Sequence, residues 1–301
     1  MKQYFVSRNS HSYPIQVNDQ LVYISKVSVA DRDHPRTMHA HEDLVEVILI
    51  TQGNGDIFIG NRYFPIKKGD LIVYNSTVVH DELFSSQPVS LYCLAFKQLE
   101  QTDLRRNALI PDDIQPIFQT GQQFELLKSW FASAFSLLES EVNGYEQLAQ
   151  KMSEIILTFL RENTFQKAIK NEIEDHKLAA VRDIKTYIDN HFAEDFKLKD
   201  FKEQGRWAIN EYYFAHKFKE LYAYSPIEYL QRRRIGEAQT MLINTDLSLT
   251  AIAHQVGLNS STYFSTLFKK MVNMTPKEYR MKYTLKEKNQ GKEQDSEKDS
   301  F

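Results

Sequence analysis

The sequence predicts a two-domain α+β protein: an antiparallel β-barrel with a helix pair, then an all-α domain made of two similar helical units. Three observations predict it. Short apolar runs separated by turn residues fill the stretch from Val22 to Phe96. Apolar residues at helical spacing follow between Phe124 and Leu160. Farther on, Tyr213-Phe214, Phe218-Lys219 and Pro226, Glu228, Tyr229 recur 50 positions later as Tyr263-Phe264, Phe268-Lys269 and Pro276, Glu278, Tyr279. The chain has 301 residues, which fits two domains.

The front, residues 1–120, is assigned to the barrel. Val45 to Ile50 and Leu71 to Tyr74 are β-branched-rich runs of strand length. Asn54-Gly55 lies between two such runs and predicts a hairpin, as does Gly60-Asn61. Gly69-Asp70 precedes a further strand, and Val89 to Phe96 closes the series. Regularly spaced antiparallel strands suit a sandwich or a small barrel.

Residues 121–176 are assigned to the helix pair. Phe124, Leu127, Phe131, Phe135 and Leu138 form one stripe, Leu148, Met152, Ile155, Ile156, Phe159 and Leu160 a second, with Asn143-Gly144 as the turn. These stripes must be buried either against the barrel or against a second copy of the chain, which makes a homodimer one of two readings.

In the front, His39, His41, Glu46 and His80 carry imidazole and carboxylate, the ligands of first-row metals. His39 and His41 alternate on one strand face, so both can point into a barrel. Two readings stand: a divalent metal site, or a polar set that faces a small molecule near Tyr23 and Tyr92 and binds no metal. No other cofactor is indicated. Cys93 is the only cysteine, which excludes an intrachain disulfide and a multi-cysteine zinc site.

The net charge of -3 conceals an asymmetry: residues 1–176 carry -7, residues 177–288 carry +6, and residues 289–301 carry -2. A basic segment of domain size fits a footprint for phosphate backbones or a modest solvated surface, and charge alone does not choose between them. The helical units below decide it: residues 177–285 are assigned to a reader of double-stranded DNA, and the polar stretch 286–301 to a disordered tail. No apolar run is long enough to cross a membrane, and a cytoplasmic location is expected.

In the second helical copy, Leu249, Ile252, Ala253 and Val256 make the buried stripe of a short helix, and Gly257 makes a sharp turn. Phe264, Leu267 and Phe268 then anchor a second helix. Its outer side offers Asn259, Ser260, Ser261, Thr262, Ser265, Thr266, Lys269 and Lys270, short polar groups and lysines suited to base edges and phosphates. The first copy is less regular, with Lys202 where the second has Ala253; its candidates are Asn210, Tyr212, His216 and Lys217. Between the copies, Pro226 to Ile243 predicts one long helix, roughly 27 Å at ~1.5 Å per residue. Arg232 and Arg233 at its middle are candidates for phosphate contact, or for bracing the two copies.

The stretches Ala251-Ile252-Ala253-His254-Gln255-Val256-Gly257-Leu258 and Tyr263-Phe264-Ser265-Thr266-Leu267-Phe268-Lys269-Lys270, with Thr275-Pro276-Lys277-Glu278-Tyr279-Arg280, are highly similar to the second helix–turn–helix signature of the AraC/XylS family of bacterial transcription regulators. Arg234-Ile235-Gly236-Glu237-Ala238 resembles that family's linker helix. In the front, His39-x-His41-x4-Glu46-x6-Gly53 is similar to the first cupin signature; Gly69-Asp70 with His80 resembles part of the second, with Asn75 near the usual proline. The resemblance implies a cupin-like sensing barrel, dimerisation through the helix pair, a small-molecule effector such as a sugar, contact with RNA polymerase, and gene activation without catalysis. Two other readings of the residues are a metal-dependent cupin enzyme with an accessory helical domain, and a ligand-independent DNA-binding protein.

Overall fold

In the computed structural model, which describes residues 2–5, 20–28, 37–60, 62–81, 89–101, 104–140, 142–165, 179–195 and 211–288, the apolar runs of the front form two antiparallel sheets. The strands are β1 (Lys2–Phe5), β2 (Gln20–Val27), β3 (Val45–Gln52), β4 (Asn54–Ile59), β5 (Arg62–Lys67), β6 (Asp70–Tyr74), β7 (His80–Asp81), β8 (Ser90–Lys97) and β9 (Ile117–Gln119). Six pair in the order β1-β2-β8-β3-β6-β9, and three in the order β5-β4-β7.

The period of two along a strand decides what each residue meets. On β3, Ile48 and Ile50 join Ile57, Ile59, Phe64 and Ile66 of the smaller sheet in one core. Val45, Val47 and Leu49 point the other way, into a second core beneath α1 (Phe124–Ser140) and α2 (Tyr145–Asn163). Glu46 has the parity of Ile48, so the fold turns a carboxylate toward the space between the sheets.

The Gly60-Asn61 hairpin forms, with Ile59 opposite Arg62. The hairpin expected at Asn54-Gly55 does not. Those residues lie within β4, and the pivot is Gly53 at φ 87°. β3 pairs with β6 and β8, and β4 with β5 and β7, so the chain there steps from one sheet to the other.

The helix pair forms as the spacing predicts, but α2 is rotated from the expected face. It buries Ala149, Ser153, Ile156, Leu157 and Leu160, while Leu148 and Ile155 remain 48% and 51% exposed.

The chain clusters into two compact units, Met1–His34 with Ala40–Ile173, and Pro35–His39 with Glu174–Phe301. The second contains α3 (Ala179–His191), α4 (Glu211–Tyr222), α5 (Pro226–Asn244), α6 (Leu249–Gln255), α7 (Ser261–Val272) and α8 (Pro276–Lys288). α8 runs through Lys288, into the stretch expected to be a tail; residues 289–301 lie outside the described residues, as do Leu198 to Trp207 of the first copy.

The 50-residue repeat is reproduced in the packing. Phe218 meets Tyr229 at 5.6 Å and 82°, and Phe268 meets Tyr279 at 5.4 Å and 75°. Ala223 and Asn273, also 50 apart, both end their helices in left-handed conformation, at φ 57° and 60°. Ser225 caps α5 through the Glu228 N–H, with proline at the first position. At α8, Thr275 and Glu278 cap each other reciprocally: the Thr275 N–H donates to Glu278 Oε2, and the Glu278 N–H to Thr275 Oγ1.

Segment Pro35–His39 belongs with α5. The N–H and hydroxyl of Thr37 both donate to Gln239 Oε1 at 2.9 Å. Gly236 on the same helix makes room for this segment, since a Cβ there would stand 1.9 Å from the Met38 carbonyl oxygen. Among the described residues, no helix is long and apolar enough to cross a membrane.

Candidate functional site

Two arrangements bear chemistry. The first is a polar cluster in which Glu46 and His80 lie on β3 and β7, whereas His39 and His41 lie in no strand, so the shared strand face expected for these two does not form. Ligand atoms of His39, His41, Glu46 and His80 all lie within 4.8 Å of one another. The Nε2 atoms of His41 and His80 are each 3.4 Å from Glu46 Oε2. The other carboxylate oxygen, Oε1, accepts from the Tyr23 hydroxyl, and Cys93 Sγ lies 3.7 Å from it. Burial alone would raise the Glu46 carboxyl, but His41 and then His80 hold it well below the usual carboxylate range. His39 and His80 are buried, and each sets Nδ1 against a backbone carbonyl two residues earlier, Thr37 O at 2.9 Å and Val78 O at 3.0 Å. The Tyr74 ring stacks on His80 at 4.0 Å.

Tyr92 does not join this cluster. It sits one residue out of phase on β8, in the core beneath the helix pair, with its ring 5.9 Å from Phe135 and Lys26 over it. Its neighbour Cys93 holds the inward parity. Tyr74 and Cys93 are the residues that the sequence reading missed; β6 and β8 are buried on both faces, so no alternation of polarity in the sequence marks them.

Asn75, near the expected proline, is structural. Its Nδ2 donates to Ile110 O and Asp112 Oδ1, and its Oδ1 accepts from the Leu109 N–H.

The second arrangement is the exposed face of α7. Phe264, Leu267, Phe268 and Val272 fix one side in the core of the helical unit. The Gly257 turn sets the approach of α6 and α7, with φ 77° and Ala193 packed where a side chain would go. Outward stand Asn259, Thr262, Thr266, Lys269 and Lys270, all exposed. Ser261 and Ser265 are half-buried, and Ser260 serves as the N-cap, accepting from the Tyr263 N–H. Tyr263, absent from the sequence candidates, is 48% exposed on the same face, and its hydroxyl accepts from Gln231.

The arginines of α5 separate. Arg233 is a correction: it is 4% exposed, over the Phe192 ring and 3.7 Å from Asp189. Asp189 also takes Lys185 at 2.6 Å and the Tyr229 hydroxyl at 2.8 Å. Arg233 therefore braces the unit and is not placed to meet phosphate. Arg232 remains half-exposed over Tyr224. On α4, His216 is exposed and Lys217 half-buried, both beside Glu220. Asn210 and the side chain of Tyr212 lie outside the described residues.

Residues 22–155 match the AraC-like ligand binding domain, and residues 205–282 match a helix-turn-helix domain. The chain is similar to the uncharacterized HTH-type transcriptional regulator YdiP of Escherichia coli, with 25% identity over 81% of each chain. It is also 25% identical to the HTH-type transcriptional activator RhaR of Mannheimia succiniciproducens, over 90% of this chain and 99% of the relative. Among solved structures, the C-terminal domain of the response regulator AraT from Geobacillus stearothermophilus is 32% identical over 34% of this chain and 84% of that one, with a TM-score of 0.32.

Proposed function

The chain belongs to the AraC family of DNA-binding transcription regulators, and on that premise we propose how its residues divide the work. α7 enters the major groove with Asn259, Thr262, Tyr263 and Thr266 toward base edges and with Lys269 and Lys270 toward phosphates. The observation that carries this reading is the division of α7 itself: an apolar side buried in the unit, and an exposed side of short polar groups and lysines. Arg232 contributes a further phosphate contact, and His216 and Lys217 lie on the corresponding helix of the first copy.

The sheet unit takes a small-molecule effector at Tyr23, His41, Glu46 and His80. Differential affinity of that effector for two states of the protein changes DNA occupancy. The chain works in the cytoplasm, without catalysis, as a homodimer joined through the outer line of α2, where Leu148 and Ile155 are exposed and Met152 and Phe159 only partly covered. Like the activator RhaR, it raises transcription, through contact with RNA polymerase.

The test is a pair of substitutions read against salt. Lys269→Ala weakens binding to all DNA sequences and lowers the salt slope by about 1. Thr266→Ala alters preference among sequences and leaves that slope unchanged. If both variants bind as the parent does, α7 is not the reading helix.

A further inference from the structure

Arg234 follows the bracing Arg233 on α5, and its guanidinium ties the end of α3 to the second helical copy. From this geometry we propose that Arg234 is a positioning residue: it fixes the separation and angle of the two copies, and so sets which spacing of two contacted DNA segments the protein accepts. The proposal rests on the DNA reading above and extends it from contacts to spacing.

Three successive residues just beyond α3 meet the second copy, each in its own way. The Phe192 side chain packs against the core that holds Ile235, Ala238, Phe264 and Phe268. The Ala193 carbonyl oxygen lies only 2.4 Å from where a Cβ on Gly257 would stand. The carbonyls of Phe192 and Glu194 accept from Arg234 Nε and Nη2, both at 2.7 Å. Carbonyls at the end of a helix lack intrahelical partners and carry partial negative charge, so a cation is favoured there. A guanidinium presents its donors in a rigid planar fork, so two bonds to two carbonyls fix direction as well as distance.

The loop is preformed for this grip. The Glu194 N–H donates to His191 O at 3.0 Å. The Glu194 carboxylate accepts from the Tyr187 hydroxyl at 3.3 Å and lies 2.8 Å from His191 Nδ1. Burial disfavours the Arg234 cation, and the Asp195 carboxylate offsets part of that penalty.

α3 itself belongs to the first copy. It packs against α4. Its Asp189 accepts from the Tyr229 hydroxyl, and the Tyr229 ring meets Phe218 of α4. The path from one reading helix to the other therefore runs from α4 through α3 and residues 192–194 to the Gly257 turn, which leads into α7. α5 also joins the copies, and a second attachment beside it resists rotation about its axis. That rigidity matters on the scale of DNA, where one base pair moves a target by about 3.4 Å and turns it by about 34–36°.

The test uses the full chain and two readouts. Spin labels go on Thr186→Cys of α3 and Thr250→Cys of α6, both exposed positions, in a Cys93→Ser background. Without DNA, the parent should give one narrow distance distribution, and Arg234→Ala should widen it by on the order of 3 Å, the rise of one base pair. Arg234→Lys keeps the charge and loses the fork, so it should widen the distribution too. Circular dichroism identifies a variant that has unfolded, and the lysine variant then carries the test. An unchanged distribution in the folded variants overturns the proposal. The second readout is affinity for a duplex selected from a random library by the parent, and for versions with one base pair inserted or removed between the contacted segments. Parent affinity should fall about tenfold or more with each change, the order of one lost base contact, and that of both Arg234 variants about threefold or less. A parent indifferent to spacing, or variants that keep its preference, overturn the proposal. So does an Arg234→Ala that binds every spacing equally more weakly with a salt slope lower by about 1, which would make Arg234 a phosphate contact. A parent that binds no DNA sinks the regulator reading instead and leaves the distance measurement standing.

Discussion

Replacing Gly257 by alanine isolates one steric contact in the turn between α6 and α7. The glycine has φ 77°, which costs an L-residue about 1–2 kcal/mol. A Cβ would also stand 2.4 Å from the oxygen and 2.7 Å from the carbonyl carbon of Ala193, both backbone atoms that cannot swing away. Forcing atoms into a packed site adds about 1–3 kcal/mol. The expected loss is about 2–5 kcal/mol. Gly121 supplies the control: its φ is 53°, and nothing lies within 4 Å of its Cβ position. Gly121→Ala carries the conformational cost alone, and the entropy that alanine removes from the unfolded chain is the same in both. Hydrogen exchange with peptide resolution reads each unit separately in one sample, which avoids treating the two-unit chain as a single transition. Gly257→Ala should lower protection across α6 and α7 by about 1–3 kcal/mol more than Gly121→Ala lowers it around its own site. Equal losses, within about 0.5 kcal/mol, would refute the steric argument. They would also remove the geometric reason for glycine at this turn.

Other outcomes follow from the buried polar groups. Arg233→Ala removes the buried side chain packed over Phe192 and one partner of Asp189, which keeps Lys185 and the Tyr229 hydroxyl, and should destabilise the helical unit by about 1–3 kcal/mol, whereas Arg232→Ala should change its stability by less than about 0.5 kcal/mol and weaken DNA binding; matched urea midpoints would contradict this. Asn75→Ala leaves the Leu109 N–H without its acceptor and should cost about 1–3 kcal/mol in thermal unfolding of the sheet unit; an unchanged midpoint would show that loop 109–112 is held by other contacts. Asp112 gives a pH dependence: burial pushes its carboxyl up, but the Arg105 and Asn75 hydrogen bonds more than offset this and hold it below 3.8. A carboxyl lower in the folded than the unfolded state stabilises above that value and loses its contribution as pH falls below about 4. The ion pair is half-exposed, so the amount is under about 1 kcal/mol; denaturant midpoints of the parent and of Asp112→Asn should converge in acid, and parallel profiles would contradict the assignment.

The exposed face of α7 was legible because a helix of known phase has one buried side, and Phe264, Leu267 and Phe268 fix it. Glu46 was legible for the same reason with a period of two. Tyr92 was misplaced because a strand buried on both faces shows no alternation of polarity: Tyr92 and Cys93 look alike in sequence and face different cores. Arg233 was open in sequence because its partner, Asp189, lies on another helix and contact across 44 positions leaves no local pattern. The left-handed helix ends at Ala223 and Asn273 escaped notice because neither is glycine, although the repeat places them in register. α2 was rotated because it carries two adjacent apolar lines, and composition does not say which one the sheet covers.

The grouping of Pro35–His39 with α5 makes the helical unit discontinuous in sequence. A fragment that begins at Glu174 would keep Gln239 without the two Thr37 donors, and Gly236 without the carbonyl that forbids a side chain there. Its gene boundary is therefore not its boundary in space. Any chimera that exchanges the front of this chain for another sensor must carry Thr37 and Met38 with the back, or redesign the α5 surface that they cover.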